Sequence, residues 1–184
     1  MTKPVKAALL AGVGAMLLGP LLAVPAVAGP FEDGLQEYQN GDYLAARRQW
    51  GSLAEGDDAI GQFIRGTMCE TGIGLSRNDM EAFKWYRMAA EQGLAVAQFK
   101  LGTMYEKGKG VLQNYSEAAN WFRSAANKNF VQAQGSLAIL YENGFGVTQD
   151  AIQAYIWFDL AENNDDRDRI ADSMTPDQIT EARR

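Results

Sequence analysis

Residues 97–126 read AQFKLGTMYEKGKGVLQNYSEAANWFRSAA. Shifted forward by 36 residues, the string falls on AQGSLAILYENGFGVTQDAIQAYIWFDLAE at 133–162, and shifted back by 36 it falls on GQFIRGTMCETGIGLSRNDMEAFKWYRMAA at 61–90. A fixed period of roughly 20–50 residues is the mark of a repeat architecture, in which each unit is one supersecondary element.

The register holds column by column. Glycines stand at 72, 108 and 144, and again at 74, 110 and 146. Alanines stand at 82, 118 and 154 and at 89, 125 and 161. Trp85, Trp121 and Trp157 form a column, followed by Tyr86, Phe122 and Phe158. Asn78, Asn114 and Asp150 precede Glu81, Glu117 and Gln153 by three residues. A polar N-cap with Glu or Gln at N3 resembles a capping box, which satisfies orphan amides at a helix start. Each unit therefore reads as helix A, a Gly-x-Gly turn, a capped helix B and a short connection. The pattern predicts helices near 58–71 and 79–92, 95–107 and 115–128, and 131–143 and 151–163. Two antiparallel helices of this size cannot bury their own apolar faces, so the pairs must stack. Small alanines let helix axes approach, and the Trp and Tyr/Phe columns fill the space between.

Outward from these units, residues 31–57 hold a shortened first unit, an N-terminal half-unit whose Gly-x-Gly loop is replaced by the tight turn Asn40-Gly41, with Asp42 in the N-cap column. On the other side, Asn163–Arg169 reads as a charged break, whose acids lack the loop glycine and closing Glu of a calcium-binding EF-hand. Thr175-Pro176-Asp177-Gln178 then opens a short helix that caps the stack. The expectation is an all-α solenoid of antiparallel helix pairs in one domain, 29–184, with units at 31–57, 58–93, 94–129 and 130–165 and a C-terminal cap at 166–184.

Residues 1–28 read as a leader. Lys3 and Lys6 precede an apolar run that ends in Ala26-Val27-Ala28, a small-x-small cleavage pattern. The expectation is cleavage after Ala28 and export across an inner membrane to a periplasm, with no stable membrane anchor afterwards; an uncleaved anchor is the alternative. The whole chain carries 17 Lys and Arg against 23 Asp and Glu. Without Lys3 and Lys6, 15 basic residues face 23 acidic ones, a net charge of −8. An acidic chain offers no footprint for nucleic acid.

Catalytic residues, metal ligands and cofactor sites are not expected. The chain has no histidine, which removes the commonest general base and metal ligand. Its single cysteine, Cys69, falls in the column of Tyr105 and Tyr141 and reads as a small buried hydrophobe, the alternative being an intermolecular disulfide or reactive thiol. No serine has Lys three residues on, as a penicillin-binding Ser-x-x-Lys site requires. The Gly-x-Gly turns match neither GxGxxG nor a Walker motif and read as helix ends.

The pattern A-Q-x-x-L-G-x-x-Y-x-x-G-x-G-V-x-x-[ND]-x-x-x-A-x-x-W-[FY]-x-x-A-A resembles the Sel-one-like repeat, a relative of the tetratricopeptide repeat. It matches at Ala97, Gln98, Leu101, Gly102, Tyr105, Gly108, Gly110, Val111, Asn114, Ala118, Trp121, Phe122, Ala125 and Ala126. Departures are Cys69 for Tyr, Arg65 for Leu, Gly61 for Ala and Ala138 for Gly. The resemblance implies a right-handed α-solenoid acting as an exported adaptor for another protein or peptide. Some cysteine-rich relatives resemble β-lactamases or penicillin-binding proteins, so a cell-wall binding or hydrolysing protein is the alternative; their paired cysteines are absent here.

In tetratricopeptide-like stacks the A helices line the concave side. By position, that groove would show Ile60, Phe63, Thr67 and Glu70, then Val96, Phe99, Thr103 and Glu106, then Gln132, Gly135, Ile139 and Glu142. The expected partner-binding residues are Phe63, Thr67, Glu70, Val96, Phe99, Thr103, Glu106, Ile139 and Glu142. A carboxylate near a helix C-terminus is opposed by the dipole, by about 0.3–1 kcal/mol, so helix stability does not explain the column Glu70/Glu106/Glu142. An acidic rim beside pockets from Phe63 and Phe99 would receive a basic or amphipathic segment. Three solvated glutamates are the alternative.

Overall fold

The computed structural model describes residues 29–55 and 58–184, so the leader reading of 1–28 lies outside the described residues. Among these the chain is entirely helical. The helices are α1 (Pro30–Asn40), α2 (Tyr43–Glu55), α3 (Ala59–Thr71), α4 (Asp79–Glu91), α5 (Ala95–Lys107), α6 (Tyr115–Ala126), α7 (Val131–Asn143), α8 (Ala151–Leu160), α9 (Asn164–Ala171) and α10 (Pro176–Ala182). Through α8 each helix packs chiefly against the one before it and the one after it, and α9 and α10 both close against α8. The result is an α-solenoid.

The starts of the helices follow from their caps. Asn78 and Asn114 accept from the amides of Glu81 and Glu117, and Asp150 accepts from those of Ile152 and Gln153. The reciprocal half of the expected capping box is not made. The N-cap amides of Asn78, Asn114 and Asp150 donate instead to the carbonyls of Cys69, Tyr105 and Tyr141, at 2.8, 2.9 and 3.0 Å. A helix A carbonyl left open at the C-terminus thus takes the donor that the Glu side chain would have used. The complete box occurs at α10, where Thr175 and Gln178 bond reciprocally.

Two glycines per turn have different duties. Gly72, Gly108 and Gly144 end α3, α5 and α7 in the left-handed conformation. The second glycine meets the preceding unit. A Cβ on Gly110 would stand 2.2 Å from the carbonyl oxygen of Asp79, and one on Gly146 would stand 2.2 Å from the carbonyl carbon of Tyr115. Gly74 makes the same approach to Tyr43. Each turn is therefore seated on the start of the previous helix B, and this contact sets the spacing between units.

The interior is divided among the aromatic columns unequally. Tyr86, Phe122 and Phe158 are fully buried. The tryptophans are half-buried: Trp85 and Trp121 pack against the cluster around Tyr86, and Trp157 against the clusters of the later units. Gly66 and Gly102 lie directly under the rings of Tyr86 and Phe122, where a Cβ would approach to 2.7 and 2.6 Å. A buried glutamine recurs as well. Gln98 and Gln134 donate from Nε2 to the last-turn carbonyls of Ala90 and Ala126 in the preceding helix B, at 3.1 and 3.3 Å. The departures in the first full unit are absorbed: Cys69 is buried, and the Arg65 guanidinium lies 5.9 Å from the centre of the Trp85 ring.

One expectation needs correction at the ends. The shortened N-terminal unit is a helix pair, α1 and α2. Only the loop is short, and Gly34 sits under the Trp50 ring as Gly66 sits under Tyr86. The segment read as a charged break is helix α9, capped by Asn163, so α8 stops at Leu160 rather than 163. Acids in its first turn (Asp165, Asp166) and Arg169 in its last suit the helix dipole. Arg167 bonds Asp159 and Asp168, which holds the helix in place of a wide apolar face. Its Ile170, with Met174 beyond, buries against Phe158 and Tyr155 to close the stack.

Candidate protein-interaction surface

The structure separates the expected binding residues by burial. Phe63 and Val96 belong to the core, 3% and 4% exposed, so neither offers a surface pocket. Phe63 packs on Tyr86 at 5.4 Å between ring centres. Phe99 is half-buried between Phe122 and Phe130, at 5.7 and 5.3 Å, and its ring fills the joint between α6 and α7. Thr67 and Thr103 are half-buried and donate from Oγ1 to the carbonyls of Phe63 and Phe99, one turn back, each at 3.0 Å. Ile139, in the same column, is 46% exposed.

The glutamate column is not a row of equivalents. Glu70 accepts from the Tyr86 hydroxyl at 2.7 Å, from Lys100 at 3.1 Å and from Lys109 at 2.9 Å. Tyr86 and Glu70 belong to one unit; both lysines come from the next. Burial pushes Glu70 up, but the two ammonium groups and the hydroxyl together outweigh it and hold the carboxyl at about 2. The burden of its charge falls on Tyr86, whose hydroxyl is raised well above its ordinary value, first by burial and then by Glu70. Glu142 is bound by Arg169 of α9, one of the two contacts measuring 3.0 Å. These two carboxylates are internal ties, which corrects their reading as a free acidic rim. Glu106 differs. It is half-buried, no side-chain donor among the described residues bonds its carboxylate, and burial pushes its carboxyl up against the opposing charge of Lys107.

The Glu70 ties yield a measurable pH dependence. A carboxyl lowered from 4.5 to about 2 contributes about 3 kcal/mol. That contribution is complete above the unfolded value and is lost as pH falls through 4.5 toward 2. Urea denaturation of Glu70→Gln against the parent chain should show a deficit of at most about 3 kcal/mol at pH 7, shrinking toward zero in the acid range. A deficit independent of pH would mean that packing, not charge, is what the substitution removes.

Exposed apolar side chains lie outside the repeated core columns. Phe145 is 47% exposed and stacks on Tyr115 at 5.2 Å, while Leu112 is 89% exposed in the preceding turn. Neither drew notice in the sequence, because the positions 36 residues away are Lys109 and Thr148 and no column marks them.

This geometry defines a helical repeat scaffold: regular columns spent on packing, capping and spacing, with unit-specific side chains left outward. Sel1 repeat matches at 59–94, 95–130 and 131–166 cover more than half of the sequence, and the chain belongs to the Sel1 repeat family. Its fold is similar to the crystal structure of a Sel1 repeat protein from Oxalobacter formigenes, 32% identical over 74% of this chain and 54% of that one, with a TM-score of 0.68. It is also similar to c5321, a protective antigen of uropathogenic Escherichia coli strains displaying an SLR fold. That likeness is 25% identical over 84% of this chain and 43% of the other, with a TM-score of 0.58. The chain thus spans about half the length of each. Comparison with curated proteins gives no match.

Proposed function

We propose that the protein is an exported, non-catalytic adaptor that holds a segment of another protein against the outward side chains of α5 and α7. The observation that carries this reading is the change along the helix A column. Thr67 and Glu70 are consumed within the first full unit and its neighbour, whereas Glu106 and Ile139 are left for an outside partner. Repeat scaffolds of this kind recognise partners through unit-specific residues on a shared framework. Export is supported by the leader pattern and by the start of α1: cleavage after Ala28 leaves Gly29 as its N-cap and Pro30 at its first position. Among the described residues no helix is long and apolar enough to cross a membrane.

A photo-crosslinking residue placed at Ile139 should trap a discrete partner in cells, and one placed at exposed Asn120 on α6 should not. Equal trapping at both positions, or none at Ile139, would sink the assignment of the face. N-terminal sequencing of the mature protein should begin at Gly29.

A further inference from the structure

The three column glutamates stand at successive junctions, and one of them, Glu106, is bonded by no cationic side chain among the described residues. At the first, Lys109 reaches Glu70 at 2.9 Å and Asp79 at 3.6 Å, and Gly110 is seated on Asp79 and Met80. Thirty-six residues on, Phe145 replaces Lys109, Glu106 replaces Glu70, Tyr115 replaces Asp79 and Ser136 replaces Lys100. The translation is physical as well as sequential. Phe145 stacks on Tyr115 where Lys109 met Asp79, and Gly146 is seated on Tyr115 and Ser116 where Gly110 met Asp79 and Met80. Both of the other column glutamates receive cations from elements that follow them, Lys100 and Lys109 for Glu70 and Arg169 for Glu142. At the middle junction the following element supplies a hydroxyl and an aromatic ring.

We infer that Glu106 is the seat for an arginine or lysine side chain of the partner segment, which supplies the charge that Lys100 and Lys109 supply to Glu70 at the preceding junction. This rests on the adaptor reading above and names the chemistry of what is held. The incoming cation would meet a half-buried carboxylate that no side-chain donor among the described residues bonds, which favours guanidinium or ammonium over a neutral side chain. Ile139, 46% exposed on the next helix A, is the apolar side chain that the adaptor reading gives to the same segment. The occupant is therefore a basic residue flanked by an apolar one.

The test uses the full mature chain and a fluorescein-labelled dodecapeptide with one central arginine flanked by leucines, read by anisotropy. The same peptide with citrulline, the neutral isostere, should bind about tenfold more weakly. Glu106→Gln should impose a similar loss on the arginine peptide, while Glu91→Gln should not. Phe145→Lys should rebuild the Lys109 arrangement within the chain. It should lower the Glu106 carboxyl, read by carbon NMR titration, and block the arginine peptide. Thermal melts confirm that each variant is folded. Equal affinity for the citrulline peptide, no binding of either peptide, or an unmoved Glu106 titration in Phe145→Lys would each overturn the inference. Self-association of the chain that Glu106→Gln abolishes would do so too, by assigning the seat to a second copy. Crosslinking from residue 139 that persists in Glu106→Gln would leave the adaptor reading standing while this inference fell.

Discussion

Phe122→Ala is expected to destabilise the protein by about 3–5 kcal/mol. The ring, carried by α6, is fully buried against Phe99 and Gly102 of α5. It cannot be replaced by collapse, because Gly102 lies directly beneath it with no side chain to move inward. The neighbouring Trp121→Ala should cost less, about 1.5–3 kcal/mol, because that ring is half-buried and removes less apolar area from water. Thermal or urea denaturation of the two variants decides the matter. A larger loss at Trp121 would mean that the tryptophan column, not the Tyr/Phe column, is the main filling of the stack.

Gly110→Ala should cost about 2–5 kcal/mol, while Gly108→Ala, two residues away, should cost only about 1–2 kcal/mol. Both glycines have positive φ, +65° at Gly108 and +71° at Gly110, so both substitutions carry the left-handed penalty. The difference is what the new methyl meets. At Gly108 the nearest atom is the Cβ of Gln113 at 3.3 Å, a contact that a backbone shift of a few tenths of an ångström relieves. At Gly110 it is backbone of Asp79 at 2.2 Å, which moves only if the whole of α4 shifts. Gly110→Ala should therefore also weaken the Lys109–Glu70 and Lys109–Asp79 contacts made by the residue before it. Matched melting curves check the ranking, and equal losses would remove the seating of the turn as the device that spaces the units.

The framework was legible because its contacts are short in sequence and repeated. A helix, its cap and its partner lie within one 36-residue unit, so the columns carry them directly. Asn114 and Gly108 could be given duties from spacing alone, and the structure assigns them those duties. The surface was less legible for the converse reason. Whether a column glutamate is free depends on residues 16, 30 and 39 positions away, as Tyr86, Lys100 and Lys109 are from Glu70. A column read vertically shows three glutamates; only the neighbouring units reveal that two are tied and one is not. The expected surface contacts at Phe63 and Val96 failed likewise, since the carried-over geometry placed on a surface two side chains that are buried in the core. Helix α9 escaped notice because its stability comes from Asn163, Arg167 and Arg169 rather than from an apolar period.

The chain-neighbour packing of the helices has a mechanical meaning. Stability in such an array is close to a sum over units and the joints between them, with little that is shared across the whole length. Contacts that close over short stretches of chain assemble fast, since little loop entropy must be spent first. Tension applied at the termini should accordingly peel helix pairs away in sequence from an end, each event small. The α3–α6 pairs, joined by the Glu70 ties, should be the last to let go.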